Sequence, residues 1–460
     1  MMTATAVVDH THRRPATTRV AFVRSIEIQQ AAPYLEPLRR AFTENDIEAK
    51  LFYTDGDVGP GDWPGPAERM PFNVSPAEVT RRVLEWGADG FVSLSIPDEN
   101  SLRDALAAEQ LAFHGIETVV HSVETTELLS NKWATKQAVL AAGLDTPDGL
   151  LIDGDLLNGR CLPVPAYADA LTRNAQRLGF PLLTKPLWDC LGNGIRYIAD
   201  ERAWYSFLAR PFEGNAVLER CLRGELCSVE IIGRRGQYVM QPLVWKGPTG
   251  DSPTFAFQQV RYSAPRPAPD RHFAGIRERL TALCDRLGVN GAIEVEMIYH
   301  HGKFTIIEIN PRVSGSTGLS IAASRCNTYM CLLDMLMDRW PSTTQTRTEQ
   351  WRMACQFPTA PLDSATMRRV TSTLPVERAS TFTVDGKSYA NMLMACEPPS
   401  GADHAASLRR LNEANDLLAP DVLAQVIHLL TRGRLPSAIA PCIDDNQPHD
   451  RSNAQELCLP

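Results

Sequence analysis

The 460-residue chain contains no run of 18 or more apolar residues, so no membrane-spanning helix is expected. Basic excess is also missing. Forty-six Lys and Arg stand against 54 Asp and Glu, a net charge of -8, which excludes a general nucleic-acid binder but not a local basic pocket. No CxxC pair occurs, and the 11 cysteines are scattered and odd in number, which fits a reducing cytosol better than a disulfide framework. The first residues, MMTATAVVDHTHRRPATTR, have no apolar core like that of a signal peptide. A cytoplasmic protein with no membrane partner is the expectation. No internal repeat is present.

What is there suffices for several cores. The hydrophobic fraction is 44%, and the length exceeds what one domain usually holds, so three or four compact pieces are expected. Residues 1–17 are polar and read as loose. From 18 to 124, short apolar runs (RVAFVRSIE, IEAKLFYT, ADGFVSLSI, IETVVHS) alternate with helical patterns, one of them capped by Ser75 with Pro76 at its first position. That alternation predicts a parallel α/β sheet. Residues 125–230 mix helices and strands; 231–345 add strands, a helix at RHFAGIRERLTALCDRLG and an amphipathic helix at YMCLLDMLMDRW. A smaller α/β subdomain is expected over 346–435, and the Pro- and Asp-rich tail 436–460 reads as disordered.

One stretch is at odds with its own secondary structure. GAIEVEMIYHHGKFTIIEINPR, Gly291 to Arg312, reads as a β-hairpin turning at HHGK. Yet it carries Glu294, Glu296 and Glu308, then Asn310, although acids are depleted in strands and facing like charges repel. A turn centred on Gly302 sets Glu296 opposite Glu308 and Glu294 opposite Asn310. A two-residue His301-Gly302 turn shifts the register by one and splits the acids between faces, unless a bulge intervenes. The sequence allows either register. On one face, two carboxylates and an amide oxygen make a hard-oxygen set suited to Mg²⁺, which takes one or two carboxylates plus substrate phosphates. The alternative is a wet strand with solvated acids.

EINPR after the VEMI strand resembles the metal-binding signature of the ATP-grasp superfamily, which includes D-alanine–D-alanine ligase, biotin carboxylase and amino-acid ligases. The resemblance implies Mg²⁺ (or Mn²⁺) on Glu296, Glu308 and Asn310, with Arg312 beside the reacting phosphate. Upstream, LLSNKWATKQAVLAAG resembles the superfamily's entry segment and implies Lys132 on nucleotide phosphate. Lys136, one helical turn on, reads as surface charge. GFPLLTKPLWDCLGNGI resembles the strand and glycine loop that follow; it implies Lys185 on phosphate, with Gly192 and Gly194 letting backbone N–H groups approach. The loop has fewer glycines than its relatives, and the GxxxxGK[ST] spacing is absent. NAVLERCLRGELCSVEIIG resembles the segment between the two ATP-gripping lobes, implying Glu219, Arg220 and Leu222 on adenine and Glu225 on ribose.

These four motifs stand in the expected order over roughly 125–335. The implied architecture is a multidomain α/β and α+β chain: a pre-ATP-grasp domain, two ATP-grasp lobes (125–230 and 231–345) and the C-terminal piece, as a lid or homodimer surface. The implied reaction is ATP-dependent ligation of a small carboxylate to an amine through an acyl phosphate, with Lys185 and Arg312 as the catalytic cations. A bicarbonate-activating carboxylase and a non-catalytic nucleotide-binding regulator are the rivals. Lys246, Arg261, Glu99, Asn100 and Ser101 are candidate substrate contacts, the last three because they follow a strand end of the first sheet. Helix capping explains those three equally well.

Overall fold

The computed structural model describes residues 18–159, 165–188, 194–210, 214–250, 259–341, 352–384, 387–397 and 400–435. Residues 1–17, the tail from 436 and Gly192, on which sequence expectations were placed, lie outside the described residues. Three sheets organise the rest. The first has five strands, all parallel: Ala67–Arg69, Ile47–Tyr53, Thr18–Arg24, Gly90–Ser93 and Glu117–Val119, in that order. Its central strand is buried from Val20 to Arg24, as a continuous apolar run covered on both faces requires.

The second sheet is antiparallel, ordered Gly149–Ile152, Ala216–Arg220, Leu182–Pro186 and Arg196–Ile198. Alternation assigns its faces. Leu182, Ala216 and Leu218 pack with Trp204 and Phe207 of the helix Glu201–Leu208. Lys185, Val217 and Glu219 point the other way.

The third sheet is antiparallel and nine-stranded. It runs from Lys303–Asn310 through Gly291–His300, Glu225–Arg234, Val244–Pro248, Arg261–Ser263, Met353–Thr359 and Lys387–Cys396 to Val376–Val384. The ninth strand, Gln237–Met240, pairs with Glu225–Arg234. The last three strands of the main row come from 346–435. That segment therefore extends this sheet through the Arg261–Gln356 pairing rather than forming a sheet of its own. One face of the sheet buries Val229, Val295, Phe357 and Met392 beneath the helices Pro267–Arg286, Gly401–Asn415 and Pro420–Arg432.

The other face meets the helices Thr317–Ser324 and Thr328–Leu336. The second was expected to be amphipathic. Only Met330 of its nine residues is less than fully buried, because it is wedged between the first sheet and the strands Glu225–Arg234 and Gly291–His300.

Candidate functional site

The register of the acidic hairpin is settled by a turn and a bulge together. His301 and Gly302, both at positive φ (47° and 82°), form a two-residue turn, with His300 opposite Lys303. That turn alone would set Glu296 opposite Ile307. A bulge beside Glu296/Met297 takes up one extra residue, and beyond it Glu296 faces Glu308 and Glu294 faces Asn310. The core side of the strand accordingly reads Phe304, Ile306, then Ile309. Glu294, Glu296, Glu308 and Asn310 share the opposite face.

Cations balance this acidic face. Lys246 Nζ donates to Glu294 Oε1 at 2.9 Å and to Glu296 Oε1 at 2.8 Å. Ser228 Oγ donates to Glu294 at 2.8 Å, Lys132 Nζ to Glu308 Oε1 at 3.0 Å, and Arg312 Nη2 to Asn310 Oδ1 at 3.2 Å. Burial pushes Glu294 up, but the Lys246 charge and hydrogen bond, Ser228 and Arg312 outweigh it, and its pKa falls to about 2. Glu296 moves the opposite way. Burial raises it, Lys246 opposes, and the neighbouring Glu294 and Glu308 raise it further.

Among the described residues no cluster of three or more His, Cys, Asp or Glu side chains converges as a metal site. Two carboxylates and one amide with phosphate oxygens need no third acid. Glu296, whose ionised form is penalised by burial and by two like charges, is a group that a divalent cation would relieve. The donor chemistry fits Mg²⁺ or Mn²⁺.

Opposite lie the lysines. Asn131 caps the helix Lys132–Ala141, accepting from the Trp133 and Ala134 N–H groups at 3.1 Å, and so fixes Lys132 as its first residue. The Lys132 N–H donates to Leu187 O at 3.0 Å, tying the helix start to the end of the Lys185 strand. Lys132, Lys136, Lys185, Glu219, Ile306 and Ile307 line one narrow cleft.

Lys136 corrects the sequence reading. It is 5% exposed, not on the surface, and its Nζ donates to Thr146 Oγ1 at 3.1 Å and pairs with Glu219 Oε2 at 3.3 Å. Lys185 pairs with the other Glu219 oxygen. Burial lowers Lys136 despite Glu219; for Lys185, Glu219, Glu308 and Glu296 together overcome burial and raise it.

Other candidates sort by face. The Glu219 carboxylate is engaged by two lysines; in the connector 220–224, Arg220 is exposed and Leu222 half-buried. Glu225 stands apart from the acidic face. It lies on the side of its strand that carries Cys227 and Val229, away from Ser228 and the acidic face, and both its oxygens accept from Arg266 at 2.6 and 2.9 Å. It does not join the cleft. Gly194, at φ +79°, sits against Pro186, where a Cβ would approach Cγ to 2.6 Å. Lys246 belongs to the acidic face, and Arg261 is buried with Nη2 on Gln356 Oε1 at 3.1 Å.

Of the first-sheet trio, Glu99 is exposed, Asn100 accepts from Arg103 at 3.0 Å, and Ser101 lines a small pocket with Pro311 and Arg312. The residue the sequence did not offer is their neighbour Asp98, whose carboxylate accepts from Arg312 Nε. Asp98 and Glu294 hold the Arg312 guanidinium up against the lowering effect of burial.

Comparisons with known proteins agree with this arrangement. Residues 129–316 match the family model of the ATP-grasp domain. Biotin carboxylase of Pseudomonas aeruginosa is 26% identical over 266 residues, 56% of this chain and 54% of that protein. The large chain of carbamoyl phosphate synthase from Clostridium perfringens is 28% identical over 151 residues, 30% of this chain and 13% of that one. This chain thus spans about half of the first relative and far less of the second. The crystal structure of L-amino acid ligase from Bacillus licheniformis superposes with a TM-score of 0.63 over 86% of this chain and 97% of that one; at 18% identity this is a likeness of fold. Residues 129–316 are thus the part of this chain that is an ATP-grasp domain.

Proposed function

We propose that the chain is an ATP-dependent carboxylate–amine ligase acting on small acids and amines. The observation that carries this reading is the shared face of Glu296, Glu308 and Asn310, with Lys132 paired to Glu308 and Lys185 close enough to feel Glu308 and Glu296. In the proposal those three residues hold Mg²⁺ with the nucleotide phosphates. The ion, when bound, supplies charge neutralisation at the phosphates. Lys132 and Lys185 bind phosphate oxygens, and the backbone of 220–222 meets the adenine edge. Gly194 is assigned to backbone contact with the phosphates. Arg312, held by Asp98, steadies the transferring phosphoryl group.

The chemistry balances with ATP alone. A substrate carboxylate oxygen bonds to the γ-phosphorus as the bond to ADP breaks. The amine nitrogen then bonds to the acyl carbon, phosphate leaves, and the surplus amine proton passes to phosphate or solvent. Positioned charge performs both steps, so no Ser, Cys or His nucleophile is needed. Lys246 and Arg261, buried beside the acidic face, are proposed to orient the acid.

The test is a screen of purified protein with ATP·Mg²⁺ over pairs of amino acids and small carboxylic acids, reading ADP and product mass. Amide product with stoichiometric ADP and phosphate supports the proposal. The match to biotin carboxylase favours one rival reading, bicarbonate activation. ADP release that depends on bicarbonate and not on an amine would replace ligation by that rival. ATP binding without turnover would leave a nucleotide-binding regulator.

A further inference from the structure

The face of the large sheet beneath the helix Thr317–Ser324 changes character along its strands. Under the helix it is apolar: Val244, Ala354, Leu393 and Ala395 pack against Leu319, Ala322 and Ala323. Beyond the helix's amino end the same face carries Arg261, Gln356, Asn391, Ser380 and Arg378, each 3–9% exposed. Most are joined in a chain. Arg261 Nη2 donates to Gln356 Oε1 at 3.1 Å, Gln356 Nε2 to Asn391 Oδ1 at 3.0 Å, and Ser380 Oγ to the same Asn391 oxygen at 3.2 Å.

Arg378 stands outside that chain. Among the described residues no carboxylate pairs with it. Its Nη1 donates to the Gln30 carbonyl, while its buried Nε has no partner. Burial pushes its guanidinium down, opposed only by Tyr34 and Tyr329. Tyr34 Oη, from the first domain, is likewise buried without a partner.

Both groups reach the first turn of Thr317–Ser324. A Cβ placed on Gly318 would lie 3.0 Å from Arg378 Nη1 and 2.9 Å from Tyr34 Cε2. Ser316, the residue before that turn, makes no side-chain cap, and its Oγ too is buried without a partner. A buried cation lacking a counter-charge is costly, and a helix amino end favours negative charge. Three orphaned polar atoms around one helix terminus describe a site whose missing member is an anion.

We propose that Arg378 and Tyr34, with the amino end of Thr317–Ser324, bind a substrate carboxylate that is not activated by ATP. The amine component is then an amino acid, and selectivity for it comes from the C-terminal segment, beyond the ATP-grasp domain. This rests on the ligase reading for the reaction, but not for the binding.

The test is calorimetry on the full chain with MgADP present, titrating the common L-amino acids and their methyl esters. At least one free acid should bind at least tenfold more tightly than its ester. Tyr34→Phe should melt no lower than wild type, since it removes an unsatisfied buried hydroxyl, yet bind that acid about tenfold more weakly with the ester and ADP unchanged. Arg378→Lys should likewise narrow the acid-to-ester ratio. No preference for any acid over its ester, or an unchanged ratio in both variants, overturns the proposal. Turnover with an unchanged ratio would overturn the pocket and leave the ligase. Tyr34-dependent acid binding without turnover would support the pocket and remove the ligase.

Discussion

Replacing Glu219 by Gln tests the electrostatics of the lysine side of the cleft. The Glu219 carboxylate is the shared partner of Lys136 and Lys185, and all three side chains are less than a tenth exposed. Removing one member of a buried ion pair costs about 3–5 kcal/mol, chiefly by stranding the other charge. An amide keeps a hydrogen-bond acceptor, so the lower end, about 3 kcal/mol at pH 7, is expected. At a urea dependence of about 2 kcal/mol per molar, the midpoint falls by about 1.5 M. Fluorescence suits the measurement because Trp204 is buried in the core of the same lobe. The pH dependence is the sharper readout. In the wild type Lys185 is raised, so its stabilising contribution is complete below the unfolded lysine value and fades only as pH climbs through the raised one. Without Glu219, burial pulls both lysines below their unfolded value. The unfolded chain then binds more protons, and the variant gains stability as pH rises from 7 to 10. The two proteins should converge. A midpoint change under about 0.3 M, or a gap that widens with pH, would refute the reasoning.

Glu308→Gln should reduce ADP formation below detection while leaving circular dichroism unchanged; normal turnover in the screen above would remove it from the metal set. Lys185→Ala should raise the KM for ATP by about tenfold or more, read from initial rates, if it contributes a charge-assisted bond to phosphate. Asp98→Asn removes the negative partner of Arg312 and should lower kcat with little change in the KM for ATP; a change confined to KM would place Arg312 on ground-state binding instead. Glu230 is raised to about 7, by burial first and by Glu294, against hydrogen bonds from Thr317 and Thr328. Because its folded value lies above its unfolded one, its contribution is complete below about pH 4.5 and is lost as pH rises through about 7. Glu230→Gln should therefore flatten the fall in melting temperature between pH 5 and 8, and an unchanged slope would refute the assignment.

The acidic hairpin shows what the sequence could and could not convey. Its residues and order were legible, and so was the conflict between a short turn and a shared acidic face. The structure resolves it with both devices, a two-residue turn and a bulge. One sign of the bulge was present: Ile306 and Ile307 stand side by side and break the alternation that Phe304 begins. Lys136 and Asp98 were not legible. A lysine one turn beyond another on a helix usually faces water, and an acid at a helix start usually caps it. Here the strand Ala216–Arg220 supplies Glu219 to bury the lysine, and Arg312, 214 residues away, claims the acid. The position of Glu225 was not legible for a local reason: side chains one residue apart point to opposite faces, and Arg266 lies on the face away from Ser228.

The strands of 346–435 carry the same ambiguity further. In MACQFPT, Met353, Cys355 and Phe357 alternate with Ala354 and Gln356, a pattern that reads as one face in the core and one in water. Both faces are in fact covered, and Gln356 is 3% exposed. A polar residue on the second face marks either solvent or a built site, and alternation cannot distinguish them. What decides is the cover: a helix contributed by the segment just after the EINPR motif, and Tyr34 from the first domain. The polar floor therefore exists only when three distant segments are assembled on one sheet. This explains why ordered motifs could bring out the lysines and the acidic hairpin, whose residues lie in a single stretch, and left the far side unread.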